Sequence, residues 1–253
     1  MIGVFDSGSG GLSVLYALRQ RLPSVDVLYF GDIRNAPYGT RTHEELSALT
    51  VDALRLLAKR GASRIVSACN SVSATLALSL VDALELAPSE LIEMVGPTVA
   101  YMRGEPGKAL VLATPATVRA GMYRQAFRMA GKEAEEVAIP ELAAAIEFGA
   151  SEEELERIIR EALARVAPDS FGSVLLACTH YPLALPVFRR VLGKDARIVD
   201  PALIVAERIE RQWWPKETGE GRTRFLISKD SEPFRRYVAR WFPKDAENIE
   251  VLQ

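Results

Sequence analysis

The sequence predicts an α/β protein made of two similar, doubly wound parallel-sheet domains related by pseudo-symmetry, with an active site in the cleft between them. Short, continuously apolar segments alternate with helical patterns along the 253 residues, as is typical of parallel sheets covered by helices on both faces. The pattern restarts near residue 97. Each half also contains a similar segment: 64–75 reads RIVSACNSVSAT, and 173–184 reads SVLLACTHYPLA.

The elements follow from the order of apolar runs, capping residues and turn residues. The predicted strands are 1–6, 25–30, 64–69, 91–96, 108–113, 135–140, 173–178, 196–200 and 224–228, and the chain ends on the apolar segment 249–253. The predicted helices end near 21, 60, 85, 130, 149, 166 and 213; one more follows Pro182, and the last spans 232–241. Capping boxes at Thr42 with Glu45 and at Ser151 with Glu154 begin two of them.

The C-terminal residues are assigned to the first half. The segment 215–223 is a polar linker long enough for the chain to cross back to that half. The sequence therefore predicts a first domain formed by 1–96 plus 214–253, and a second domain formed by 97–213.

Composition excludes several classes of protein. The net charge is −2, with 49% hydrophobic and 25% charged residues, which is usual for a globular protein and shows no nucleic-acid footprint. The start of the chain has no basic region, and no apolar run reaches membrane-spanning length. We therefore expect a cytoplasmic protein that binds neither nucleic acid nor membrane. The two cysteines lack the spacing of metal ligands, so no metal site is expected.

The two cysteines are the first candidates for chemistry. Cys69 and Cys178 are the only cysteines, and each falls where a predicted strand passes into a helix. The partial positive charge of a helix N-terminus favours thiolate over thiol. Polar residues follow both cysteines directly, Asn70-Ser71 in one case and Thr179-His180 in the other. A core strand does not require such successors, whereas an anion-binding helix start does.

Other polar residues occur at predicted strand ends or nearby. Asp6 ends the first strand, where an ionisable group is costly unless it is paired or lies at a site, and the glycine-rich turn after it would let the backbone approach a small anion. His180 lies two residues after Cys178 and could move a proton. His43 lies in a capping box on a surface helix. The position of Glu147 near a helix end favours a solvated helix glutamate over a functional residue.

These residues lie within motifs that resemble the glutamate racemases of the cofactor-independent aspartate/glutamate racemase superfamily. The resemblance spans about residues 2–201, and the motifs that carry it are, in chain order, FDSGSGGLSVL, YFGDIRNAPYGTRT, ACNS, GPTVA, TPATV, PELAAAIEFG and LLACTHYPLALP. None of these motifs is specific alone, but the two cysteine motifs combined with DSGxGGL and PYG are highly specific.

The resemblance implies a reaction and the residues that perform it. L- and D-glutamate would be interconverted by removing the Cα proton on one face and returning a proton on the other, with no cofactor, to supply D-glutamate for peptidoglycan. It also implies a homodimer. The implied catalytic residues are Cys69, Cys178, Asp6, His180 and Glu147, and the implied substrate-binding residues are Asp6, Ser7, Pro37, Tyr38, Gly39, Asn70, Ser71, Thr114, Thr117, Thr179 and His180.

Three positions depart from the family's usual residues. Ser71 stands where threonine is usual and keeps the hydroxyl. Ala177 replaces the glycine before the second cysteine, and Ile139 replaces a cysteine, so no thiol chemistry is assigned to that segment.

The residues also leave other functions open. One is a racemase of aspartate or a related amino acid. A second is a cysteine hydrolase or thiol oxidoreductase, although a hydrolase needs only one cysteine and leaves the paired motif unexplained. A third is an amino-acid-binding or regulatory protein without catalytic activity.

Overall fold

Two parallel sheets organise the protein in the computed structural model, which describes residues 1–73, 87–213 and 218–252. Within these ranges the larger sheet has the strand order β10-β9-β2-β1-β3-β4 and the smaller has the order β6-β5-β7-β8. The strands are β1 Ile2–Asp6, β2 Val27–Gly31, β3 Arg64–Ser67, β4 Leu91–Ile92, β5 Ala109–Ala113, β6 Ala134–Ala138, β7 Ser173–Ala177, β8 Ile198–Val199, β9 Thr223–Ile227 and β10 Ile249–Val251. The predicted α/β class with parallel sheets is confirmed.

Helices cover both faces of each sheet. They span Leu12–Arg21, His43–Lys59, Asn70–Ser73, Val95–Met102, Pro115–Ala120, Met122–Met129, Leu142–Glu147, Glu152–Ala162, Leu185–Leu192, Pro201–Trp213 and Glu232–Trp241. The first predicted capping box is present: the Thr42 hydroxyl accepts from the Glu45 N–H, and the Glu45 carboxylate accepts from the Thr42 N–H. The Ser151 hydroxyl accepts from the Glu154 N–H, so both helix starts are capped by a hydroxyl. At Ser151 only this half of the predicted capping box is present.

Three predicted elements differ from the structure. The expected strand 196–200 is only Ile198–Val199. The expected strand 91–96 is only Leu91–Ile92, and a helix begins at Val95. The expected single helix through residue 130 is two helices, because Gly121 adopts a left-handed φ of 64° between them. That backbone conformation interrupts the helical hydrogen bonds and is open mainly to glycine. Most of the helix predicted to end near 85 lies outside the described residues.

Each sheet has a hydrophobic core on either face. In the larger sheet, one core lies under the helices Leu12–Arg21, Pro201–Trp213 and Glu232–Trp241, and the other lies under His43–Lys59. The smaller sheet packs against Glu152–Ala162 and Leu185–Leu192 on one face. Its other face packs against Val95–Met102 and Met122–Met129.

The domain boundaries stay a prediction, although the core packing bears on them. The helix Pro201–Trp213 falls in the predicted second domain, yet its buried Val205 and Ile209 belong to the core of the larger sheet. The segments after residue 218 supply β9 and β10 of that same sheet. None of the helices in the described ranges is long and apolar enough to cross a membrane.

Candidate active site

Strand register brings several predicted site residues to one edge of the larger sheet. β1 pairs in parallel with β2 and β3, with Asp6 opposite Gly31 and Phe5 opposite Ser67. Cys69 therefore follows the carboxyl end of β3 beside Asp6. In the smaller sheet β5 pairs with β7, with Ala113 opposite Ala177. Ligands of open parallel sheets bind at such carboxyl ends.

The two cysteines line a single cavity of about 420 Å³. Cys69 and Cys178 are both 5% exposed and both have free thiols. The predicted binding residues that share this lining are Ser7, Pro37, Tyr38, Gly39, Asn70, Ser71, Thr114, Thr179 and His180, together with Glu147. Residues 109 positions apart in the chain thus line one cavity of a size usual for small-molecule sites.

Asp6 and Thr117, by contrast, lie behind the cavity wall. Asp6 is fully buried, and its carboxylate accepts hydrogen bonds from the Gly8 N–H at 2.9 Å and the Thr179 hydroxyl at 3.2 Å. The Thr117 and Thr114 hydroxyl oxygens are 3.0 Å apart, and the Ser71 oxygen lies 2.9 Å from that of Thr114. Both residues therefore hold lining residues in place and do not themselves face the cavity.

The glycine-rich turn after β1 serves close packing between side chains of the site. A Cβ added to Gly10 would lie 2.5 Å from the His180 Nδ1 and from the Thr179 Oγ1. One added to Gly11 would lie 2.4 Å from the Asp6 Cβ. The sequence suggested that these glycines admit an anion. In the structure they make room for the side chains of His180, Thr179 and Asp6.

His180 connects Cys178 to Glu147. The His180 Nε2 lies 2.8 Å from the Glu147 Oε2, which also accepts from the Ser9 hydroxyl. Burial alone would lower the pKa of His180, but its hydrogen bonds to Cys178 and Glu147 and their charges raise it well above the usual range. Burial likewise acts to raise the pKa of Glu147, yet the bonds from His180 and Ser9 outweigh it and leave that pKa below normal. The pair is thus imidazolium and carboxylate near neutral pH.

Cys69 has a different environment from the one the sequence suggested. Burial, followed by the nearby charge of Asp6, raises the pKa of Cys69 to about 12, although a hydrogen bond to Ser7 and one from the Val72 backbone act in the other direction. The expected preference for thiolate at this helix start is therefore wrong for the unliganded protein, because desolvation outweighs the local dipole. Cys69 is a thiol at neutral pH, ready to donate a proton.

Replacing Asp6 with asparagine is expected to lower the pKa of the Cys69 thiol. The amide removes the negative charge that repels the thiolate, and its oxygen can still accept from the Gly8 N–H. The pH dependence of alkylation by iodoacetamide measures this pKa when Cys178→Ser makes Cys69 the only thiol. An alkylation midpoint that stays in place or moves to higher pH in the Asp6→Asn protein would contradict the assigned charge effect.

Tyr38 is held by Asp32, which was not among the predicted site residues. Its hydroxyl donates to the Asp32 Oδ2 at 2.6 Å, and the Ser228 hydroxyl donates to Asp32 at 2.7 Å. Burial and the charge of Asp32 raise the pKa of Tyr38, so the phenol remains a hydrogen-bond donor. The signal was available, since Asp32 directly follows β2 just as Asp6 ends β1.

The segment after β9 also enters the cavity wall without having been predicted. Residues 229–233, from Lys229 to Pro233, line the same cavity as the cysteine segments. Their position follows from the pairing of β9 with β2, in which Ile227 lies opposite Gly31. No local motif marks this segment, and only the sheet order reveals its place.

Two sequence expectations concern metals and His43. Among the residues that the structure describes, no group of three or more His, Cys, Asp or Glu side chains could hold a metal ion. His43 is exposed on its helix, where its Nδ1 lies 3.4 Å from the Ser47 hydroxyl oxygen.

Comparison with known proteins adds independent support. The sequence model of the Asp/Glu/hydantoin racemase family matches residues 11–209. A glutamate racemase from Deinococcus radiodurans is 38% identical over 210 residues, which are 81% of this chain and 72% of that protein. A glutamate racemase structure from Bacillus anthracis has a TM-score of 0.90 at 26% identity, covering 100% of this chain and 97% of that one.

A glutamate racemase from Francisella tularensis, solved in complex with D-glutamate, has a TM-score of 0.87 at 26% identity and covers 100% of this chain and 97% of its own. The sequence matches and the fold matches therefore point to the same family as the motifs. This chain belongs to the Asp/Glu/hydantoin racemase family, a family of isomerases.

Proposed function

We propose that this protein is a glutamate racemase that interconverts L- and D-glutamate by proton transfer between two cysteines. The observation that carries the proposal is that Cys69 and Cys178, at strand ends of different sheets, line one cavity. The relatives named as glutamate racemases support glutamate as the substrate.

Racemisation needs one proton-transfer group on each face of a planar carbanion. In one direction, one sulfur as thiolate takes the Cα proton, and the other as thiol gives a proton to the opposite face. The first cysteine ends as thiol and the second as thiolate, so the reverse reaction uses the same pair with roles exchanged. His180 and Glu147 adjoin Cys178, whereas Asp6 adjoins Cys69. The two faces therefore differ in how their thiols are activated.

The substrate carboxylate requires donors in the same cavity. Ser7, Ser71 and Thr114, whose side chains carry hydroxyl groups, line it. The Thr179 hydroxyl already donates to Asp6. The Asn70 Nδ2 is buried and has no hydrogen-bond partner among the residues described. A buried amide donor without a partner costs stability, and a bound carboxylate would satisfy it.

The wider role follows from the product. We assign the enzyme to the supply of D-glutamate for peptidoglycan, and hence to cell wall biogenesis and cell shape, as a homodimer in the cytoplasm. A reducing compartment keeps both thiols free, as the mechanism requires. The two thiols carry out the proton transfers, so the proposal includes no pyridoxal phosphate or other cofactor.

The purified protein is expected to racemise L-glutamate without added cofactor. In heavy water, circular dichroism would follow the approach to racemate while proton NMR follows loss of the Cα proton signal. Parallel reactions with L-aspartate test the substrate. Turnover of L-aspartate alone would exclude glutamate as the substrate. A folded protein that binds glutamate but never exchanges its Cα proton would be an amino-acid-binding protein instead.

A further inference from the structure

We infer that Tyr123 is a positioning residue that turns the side-chain amide of Asn70 so that its NH₂ group faces the substrate carboxylate. This inference rests on the proposed function, because it assumes a carboxylate substrate in the cavity. It assigns a role to a fully buried tyrosine that lies in no motif of the site.

The contact joins the two sheets. Tyr123 lies on the helix Met122–Met129 over the smaller sheet, fully buried, with its ring centroid 6.4 Å from that of Phe127. Asn70 follows Cys69 beside the larger sheet and is 2% exposed. The Tyr123 hydroxyl donates to the Asn70 Oδ1 at 2.6 Å. A group from one half of the protein thus sets the orientation of a cavity residue in the other half.

The direction of this hydrogen bond follows from the neighbours of the phenol. A tyrosine hydroxyl can donate or accept, and an amide can be turned either way. The Thr98 hydroxyl lies beside the Tyr123 oxygen, but it donates its own proton to the Met94 carbonyl at 2.5 Å, so it does not donate to the phenol. Burial raises the pKa of Tyr123 well above its usual value, so the phenol keeps its proton. The Asn70 Oδ1, which lies 2.6 Å from the phenol oxygen, accepts that proton.

The orientation decides what Asn70 offers a ligand. The Asn70 Oδ1 accepts from Tyr123, so Nδ2 is the amide atom left to bind a ligand. Nδ2 has no hydrogen-bond partner among the described residues. Asn70 lines the cavity between Cys69 and Ser71. A donor at this position attracts a carboxylate, whereas the reversed amide would point an oxygen lone pair at it. Tyr123 therefore converts an ambiguous amide into a dedicated donor.

A double-mutant cycle tests the inference. Tyr123→Phe removes only the hydroxyl and keeps the ring that packs on Phe127. We expect it to raise KM for both enantiomers about 5- to 30-fold, while kcat changes less than about threefold. Asn70→Ala should raise KM at least as much. In the Asn70→Ala background Tyr123→Phe should change KM less than about twofold, because the amide it orients is gone.

Tyr181→Phe is the control for any general effect of removing a buried tyrosine hydroxyl. The Tyr181 hydroxyl is also buried, but it donates to the Ile139 carbonyl at 3.1 Å and does not contact Asn70. This variant is expected to keep the parent KM. The inference is overturned if Tyr123→Phe raises KM equally with and without Asn70, or leaves KM unchanged.

NMR of the parent protein tests whether the Asn70 NH₂ group contacts the ligand, and this measurement does not depend on the folding of the Tyr123→Phe protein. The side-chain NH₂ signals of Asn70, identified by their loss in Asn70→Ala or by selective asparagine labelling, should shift when D-glutamate saturates the cavity. Unshifted signals in a protein that binds D-glutamate would overturn the inference. Absence of racemase activity in the parent protein would instead count against the proposed function. The NMR experiment measures binding alone and does not require the protein to be active.

Discussion

Changing either Cys69 or Cys178 to serine is expected to lower the rate of racemisation roughly 100- to 10 000-fold, the usual contribution of a positioned acid or base. A serine hydroxyl is a far weaker acid than a thiol and does not reach the alkoxide near neutral pH, so one face of the carbanion loses its proton-transfer group. Both thiols are 5% exposed in the same cavity, which makes each variant the matched control for the other.

The two variants should differ in which enantiomer still exchanges its Cα proton. Each variant keeps one cysteine, so in heavy water each should exchange the Cα proton of only one enantiomer for deuterium. The enantiomer that exchanges should differ between the two variants. Proton NMR in heavy water, run separately with L- and D-glutamate, measures this. A serine variant that racemises at nearly the parent rate would exclude the two-base mechanism. Label entering both enantiomers in one variant would also contradict the assignment of one cysteine to each face.

Replacing His180 with asparagine is expected to lower kcat about 100- to 1000-fold, with a smaller change in KM. The imidazole contacts Cys178 and lies 2.8 Å from the Glu147 carboxylate. Its loss removes the charged group that is hydrogen-bonded to Cys178 when this sulfur gains or loses a proton. Because His180 lies on the Cys178 side only, exchange of the enantiomer handled by Cys178 should fall more than exchange of the other. Rates of Cα proton exchange for the two enantiomers provide the comparison.

His43→Asn is the matched control for this variant. His43 and His180 are the only two histidines, and His43 is exposed outside the cavity, so the same substitution there should leave kcat and KM at parent values. If His180→Asn keeps kcat within about threefold of the parent, or slows both enantiomers equally, the imidazole has no specific role at Cys178.

Several features of the site were predictable because they depend on local sequence. Cys69 and Cys178 each follow an apolar run of strand length, and polar residues succeed both. Since parallel strands place their carboxyl ends at one edge, that pattern alone predicts side chains at a site. The same reasoning would have found Asp32, which directly follows β2, had it been applied to every strand end. The helix boundaries near Gly121 were harder to predict from the sequence, because a single left-handed residue divides an otherwise continuous helical pattern.

The sequence by itself determined the fold class, the paired cysteines and most of the residues that line the cavity, because apolar periodicity and strand ends are local properties of a chain. Only the tertiary structure decided that residues 229–233 help to line the cavity, that Tyr123 holds Asn70, and that Cys69 is a thiol. Each of these depends on groups distant in the chain, and burial and charge at a thiol are sums over such neighbours. The repeated Ala-Cys segments therefore predict a pair, while their surroundings make its two members chemically unequal.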